Sequence, residues 1–265
     1  MKKLVFILLL ITLASVAKAE TYNLDFGCKE LKQSIDSLKS DSPSRFKPSQ
    51  LITSIIPIAV GSLPLYVDRA NELDISWSSS IYNGNTPLKF DDYLQYSPIA
   101  IMWGLDLLPN IEPRHKFKQQ TTILLLSTAA SLLIVRGTKM IVDRARPDTG
   151  ATNSFPSGHT ATAFMGAELL HQEYGDQSVW ISIAGYSLAA ATGYMRVYNQ
   201  RHYVGDVIAG AGVGILSAKI AYWLAPSINR WLWGSETGYD NKIYTTSISP
   251  CPIGDSLGIG LSVTF

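Results

Sequence analysis

The amino-acid sequence predicts an all-α, membrane-embedded helical bundle with a small C-terminal β-hairpin. Two observations carry the bundle. Charged residues make up 16% of the 265 positions, against about 25% in an ordinary soluble domain. The shortage is local: long uncharged tracts alternate with short clusters such as Glu112–Lys118 and Asp143–Arg146. A third observation carries the hairpin, the alternation of Leu257, Ile259, Leu261, Val263 and Phe265 with small or polar residues, which is strand periodicity. This composition excludes a disordered chain, collagen, a coiled coil and a disulfide scaffold. A formal charge of +1 leaves no electrostatic footprint for nucleic acid. Any anion this chain handles is handled locally.

The elements follow in order. Met1–Lys3 is basic, Leu4–Leu13 is apolar, and Ala17-Lys18-Ala19 places small residues at a cleavage position. That pattern predicts a signal peptide over residues 1–19, hence export. Residues 20–50 are polar, with an amphipathic stretch at Cys28–Leu38. The helical domain is expected over 51–233. Leu51–Val67 contains Pro57 and Pro64 and suits a kinked membrane helix, where neighbours can satisfy freed backbone groups. Ser97–Leu108 is apolar but short, and Asp106 interrupts it.

Thr121–Val142 and Thr160–Tyr174 read as helices, the second carrying Glu168 and His171. Ser178–Met195 runs eighteen residues without a charge. Val207–Ala225 is apolar, and its Gly210, Gly212 and Gly214 would let a neighbouring helix approach closely. Tyr222, Trp223, Trp231 and Trp233 then suit an interfacial aromatic belt. Residues 234–265 form a tail containing the hairpin. Cys28 and Cys251 permit one disulfide if both reach an oxidising space. No Cys/His spacing reads as a zinc site.

Candidate chemistry lies in three clusters. Lys139 and Arg146 are seven apart, so both can point one way if the helix persists. Two cations aimed at one place beyond an apolar helix are costly unless they meet an anion. Ser157 is placed to cap the next helix, Gly158 lets the chain pass close to a ligand, and His159 can donate a proton there. Arg196, His202 and Asp206 form R-x5-H-x3-D, in which Asp206 can orient one imidazole nitrogen and leave the other as nucleophile or base. A rival reading makes His159, His202 and Asp206 a facial metal triad. The cations Lys139, Arg146 and Arg196 argue for a phosphate dianion instead.

Lys139-x6-Arg146-Pro147, Pro156-Ser157-Gly158-His159 and Arg196-x5-His202-x3-Asp206, in this order, resemble the tripartite signature of the type 2 phosphatidate phosphatase and vanadium haloperoxidase superfamily. The signature covers Lys139–Asp206, and the helical pattern extends the similarity to about Leu51–Trp233. One departure is Met195, where the family often has Ser before the arginine. The text around it, including Asp91-Asp92-Tyr93-Leu94-Gln95-Tyr96-Ser97-Pro98, looks closest to exported bacterial lipid phosphatases that include lipid A phosphatases. The resemblance implies that His202 attacks phosphorus, Asp206 orients it, and His159 protonates the leaving alkoxide and later activates water. Lys139, Arg146, Ser157, Gly158 and Arg196 would hold the phosphoryl oxygens, with neither metal nor cofactor required.

Counting spans brings all three clusters to the exported side, provided Ser97–Leu108 does not cross. The count leaves the tail with Cys251 in the cytoplasm, apart from Cys28. The expected setting is a bacterial inner membrane with the site facing the periplasm. The expected partner is a lipid phosphate in that membrane, lipid A phosphate first, with neither nucleic acid nor a protein partner indicated. Alternatives are an undecaprenyl-diphosphate phosphatase, a phosphatidate or phosphatidylglycerol phosphate phosphatase, a non-specific periplasmic acid phosphatase, a vanadate-dependent haloperoxidase, and a lipid-phosphate binding protein without turnover. His115 and His171 read as structural, and Glu168 as a satisfied interior carboxylate.

Overall fold

The uncharged tracts form the long helices. The structure, a computed structural model, describes residues 48–82, 90–109, 111, 113–233, 245–253 and 256–264. The expected signal peptide, residues 20–47 and Cys28 lie outside them. In chain order the helices are α1 (Ile52–Ser62), α2 (Asp68–Ile81), α3 (Asp91–Leu94), α4 (Ser97–Leu105), α5 (Phe117–Ile141), α6 (Gly158–Tyr174), α7 (Val179–Tyr198) and α8 (Val204–Trp233). The tail contains β1 (Thr245–Ile253) and β2 (Ser256–Thr264), paired antiparallel with Thr245 opposite Thr264.

α8 is the axis of an all-α bundle: α1, α5 and α6 pack on it, and α7 packs on α6. Glycine makes the closest of these contacts. A Cβ on Gly210 would meet the carbonyl oxygen of Ser157 at 2.5 Å. One on Gly214 would overlap the carbonyl of Ala161. The main apolar core, with Met102, Ile123, Met165, Leu169, Leu170 and Tyr174, lies between α4, α5, α6 and α8.

The burial pattern of α5 is inverted relative to a soluble helix. Its buried face includes Gln119, Gln120, Thr122, Ser127 and Ser131. Leu125, Leu132, Leu133 and Met140 are exposed, Met140 to 85%. α1 repeats this, burying Ser54, Gly61 and Ser62 while exposing Ile52, Ile56 and Val60. Small or polar residues inside and large apolar ones outside is the arrangement expected where the solvent is lipid. α5, with 25 residues, and the Val204–Asn229 part of α8, with 26, have the length and composition to cross a membrane. α4 has nine residues, too few to span about 30 Å of hydrocarbon.

Interior polar groups at the end of α6 are paired. His115 Nδ1 lies 2.9 Å from Glu173 Oε1, which also accepts from the Tyr222 hydroxyl at 2.5 Å. His171 Nδ1 meets Ser182 Oγ at 2.8 Å. Glu168 accepts from Gln172 at 2.8 Å and from the Tyr186 hydroxyl, with Lys219 Nζ at 4.0 Å.

Candidate active site

Antiparallel helices bring the sequence clusters to one end of the bundle. Lys139 is in the last turn of α5, His159 in the first turn of α6, Arg196 in the last turn of α7 and Asp206 in the first turn of α8. The helix expected over Thr121–Val142 ends at Ile141, where Val142 turns extended, so it does not persist to Arg146. Arg146 therefore sits in a loop. That loop folds back on itself, with Arg146 and Ala151 bonded at 2.9 Å and Gly150 at φ +68° making the turn. The cations still converge, through Asn153: Lys139 Nζ donates to its carbonyl, and Arg146 Nε donates to its side-chain oxygen at 2.6 Å.

His202 precedes α8 rather than lying on it, so the expected direct bond to Asp206 is not made. The Nδ1–Oδ2 separation is 3.7 Å. Asp206 is held by other donors. Arg144 Nη1 donates to Oδ1 at 2.8 Å, and the Tyr203 amide donates to Oδ2 at 3.0 Å. The latter is half of a capping box, closing the first turn of α8. Ser154 Oγ donates to Oδ2 at 2.5 Å and lies 3.4 Å from His202 Nδ1. Ser154 thus stands between the aspartate and the imidazole, and it is fully buried.

Arg144 in turn donates to Asp74 Oδ2 of α2 at 2.6 Å, and its guanidinium lies 4.5 Å from the Tyr203 ring centroid. Asp74 Oδ1 accepts the Gly205 amide at 2.8 Å. The start of α8 is therefore pinned through a buried Asp74–Arg144–Asp206 chain. Unpairing one member of such a chain leaves a charge in a low-dielectric interior.

Ser157 occupies the N-cap position of α6, but its hydroxyl makes no cap bond. It accepts from Thr160 Oγ1 at 3.0 Å, and its amide donates to the Asp206 carbonyl at 3.0 Å. Gly158 opens the helix, where the first amides have no intrahelical acceptor. His159 Nε2 lies 3.0 Å from Asp92 Oδ1. Arg196 donates to Asp91 Oδ2 at 2.6 Å, and its buried Nε makes no hydrogen bond among the described residues. A buried guanidinium N–H without an acceptor is a costly donor, and an oxyanion at this place would satisfy it.

Burial pulls the His202 imidazole down to about 4, against the opposing pull of Asp206. It is thus neutral at neutral pH. Burial also lowers His159, reinforced by Arg196 and opposed by Asp92 and Asp91.

Sequence reasoning missed Ser154, Arg144 and Asp74, and left Asp91 and Asp92 undecided. Arg144 was visible only as a third charge beside Lys139 and Arg146, without a spacing that named its partner. The aspartates stood out as an acidic pair in an aromatic segment, but nothing local linked them to Arg196 or His159.

The bundle gathers a buried histidine, an aspartate and several cations at one end, an arrangement suited to holding an anion. Residues 120–230 match the profile of the PAP2 superfamily. Over 124 residues the chain is 45% identical to a lipid A 1-phosphatase of Porphyromonas gingivalis, covering 45% of this chain and 27% of that protein. Over 129 residues it is 30% identical to lipid phosphate phosphatase gamma of Arabidopsis thaliana, covering 38% and 57%. The chain thus spans about a quarter of the first relative's length and just over half of the second's. The crystal structure of Aquifex aeolicus LpxE superposes with a TM-score of 0.45 at 24% identity, covering 57% of this chain and 94% of that one.

Proposed function

We propose that this chain is a metal-independent phosphatase that removes a phosphate monoester from a membrane lipid, lipid A phosphate first, through a phosphohistidine intermediate. The observation that carries the reading is the buried neutral His202, its Nδ1 backed by Ser154 and Asp206, at the bundle end where Lys139, Arg146 and Arg196 gather. In this mechanism Nε2 of His202 attacks phosphorus as the ester P–O bond breaks, and His159 gives its proton to the leaving oxygen. Water then attacks the phosphohistidine while His159 takes its proton, releasing phosphate and restoring His202. Lys139, Arg146, Arg196, Ser157 and the Gly158 amide carry the phosphoryl charge through both steps. Asp206 stabilises the imidazolium form, acting through Ser154.

The inverted burial of α1 and α5 supports a site at membrane level. We place it in a bacterial inner membrane facing the periplasm, behind a signal peptide at 1–19. The relatives' names, a lipid A 1-phosphatase and a lipid phosphate phosphatase, support the substrate class.

The test is phosphate release by detergent-purified protein, with EDTA present, on lipid A, undecaprenyl diphosphate and phosphatidate side by side. Preference for lipid A is the expected result, with His202→Ala inactive on all three. Preference for the undecaprenyl substrate would move the enzyme to carrier recycling. Loss of all release in EDTA would overturn the metal-free mechanism, and an active His202→Ala would overturn the phosphohistidine.

A further inference from the structure

Asp92 stands beside the histidine proposed as the leaving-group acid. Its Oδ1 lies 3.0 Å from Nε2 of His159 and 3.5 Å from Nη1 of Arg196. It therefore sits between the proposed leaving-group acid and a cation assigned to the phosphoryl oxygens. A bridging ester oxygen that takes the His159 proton in place of Asp92 would lie close to that carboxylate. The Asp92 side chain is 57% exposed, whereas that of Asp91 is 3% exposed and paired with Arg196 at 2.6 Å. Asp91 thus makes the shorter, buried pair with the arginine, while the Asp92 carboxylate, 3.5 Å from the same nitrogen, stays at the exposed rim. Phe90, Tyr93 and Tyr96, all exposed, flank the pair with uncharged aromatic surface.

We propose that Asp92 sets the leaving-group preference of the site, favouring phosphate esters that release a neutral alcohol over diphosphates, which release an anionic phosphate. The inference rests on the reading above, in which His159 is the acid. In a monoester the P–O bond breaks, the alkoxide takes the His159 proton, and a neutral alcohol leaves past Asp92. In a diphosphate the same bond cleavage leaves a negative phosphoester beside the carboxylate. Two unit charges about 6 Å apart, at an effective dielectric between surface and bulk values, repel enough to cost about tenfold in rate.

The experiment compares kcat/KM for two substrates of one short-chain lipid, dioctanoyl phosphatidate and dioctanoylglycerol pyrophosphate. Wild type should prefer the monoester, and Asp92→Asn, which keeps an acceptor for His159, should shift the ratio about tenfold toward the diphosphate. Asp92→Glu, which keeps the charge, should hold the ratio on the wild-type side. An unchanged ratio in a folded Asp92→Asn protein would overturn the proposal, whatever the absolute rates. So would a wild type that prefers the diphosphate. His202→Ala separates the two levels. If it is inactive on both substrates, an unchanged ratio sinks only the role of Asp92. If it is active, the underlying mechanism fails and the role of Asp92 fails with it.

Discussion

Ser154→Ala removes one hydroxyl and no charge, and the structure sets what that should cost. The Ser154 hydroxyl donates to Asp206 Oδ2 at 2.5 Å and meets His202 Nδ1 at 3.4 Å, all three groups being buried. A hydrogen bond to a charged group contributes about 1.5–3 kcal/mol. At about 1.4 kcal/mol per factor of ten, that is roughly 10- to 150-fold. Asp206 keeps Arg144 and the Tyr203 amide after the substitution, and it stands only 3.7 Å from Nδ1. A small closing movement would restore a direct bond, so the loss should fall near the lower end, about tenfold. It should fall on kcat, because Ser154 touches the nucleophile rather than the substrate. The assay is steady-state phosphate release over a range of substrate concentrations, with thermal unfolding measured alongside. An unchanged kcat would refute the bridging role. A loss as complete as that of His202→Ala would show that Ser154 takes part in the chemistry itself.

Arg144→Met leaves the Asp74 and Asp206 carboxylates buried without their shared cation. The expected cost is about 3–5 kcal/mol, or roughly 6–20 °C in melting temperature for a chain of this size. An unshifted thermal midpoint in detergent would mean that the chain of charges is not what holds α8. For pH, kcat/KM should rise as pH climbs through about 4, where His202 loses its proton and becomes a nucleophile. It should fall again as His159, which must be protonated to act as acid, titrates below its ordinary value of about 6.5. The optimum is therefore acidic, and an alkaline limb above about pH 8 would overturn the assignment of His159.

The helices that bring the site together were legible because their apolar tracts are long and their motifs sit at tract ends. α5, α6, α7 and α8 run in antiparallel succession, so Lys139, His159, Arg196 and Asp206 had to meet. α2 was not legible. It is weakly apolar, and its buried positions are Asp74 and Ser78, which hydrophobic periodicity reads as surface. The partners of Arg144 lie 62 and 70 residues away, and no local pattern announces a polar contact of that range. α5 ends at Ile141, one residue short of the expected Val142, and so does not persist to Arg146. Beyond it the Ser154 amide donates to the Arg144 carbonyl at 2.9 Å, a contact that no local pattern announces.

The contact of Gly210 with the Ser157 carbonyl acts as a ruler. Ser157 precedes His159, the proposed acid, and Gly210 lies one turn beyond Asp206, so the close backbone approach gauges the gap between the two histidine-bearing segments. Nothing compressible lies between them at that point. Such a gauge would fix the width of the proposed phosphoryl site independently of the lipid that carries the phosphate. A change of substrate would then call for rebuilding the exposed Phe90, Asp92, Tyr93 and Tyr96, while the gauge stays as it is.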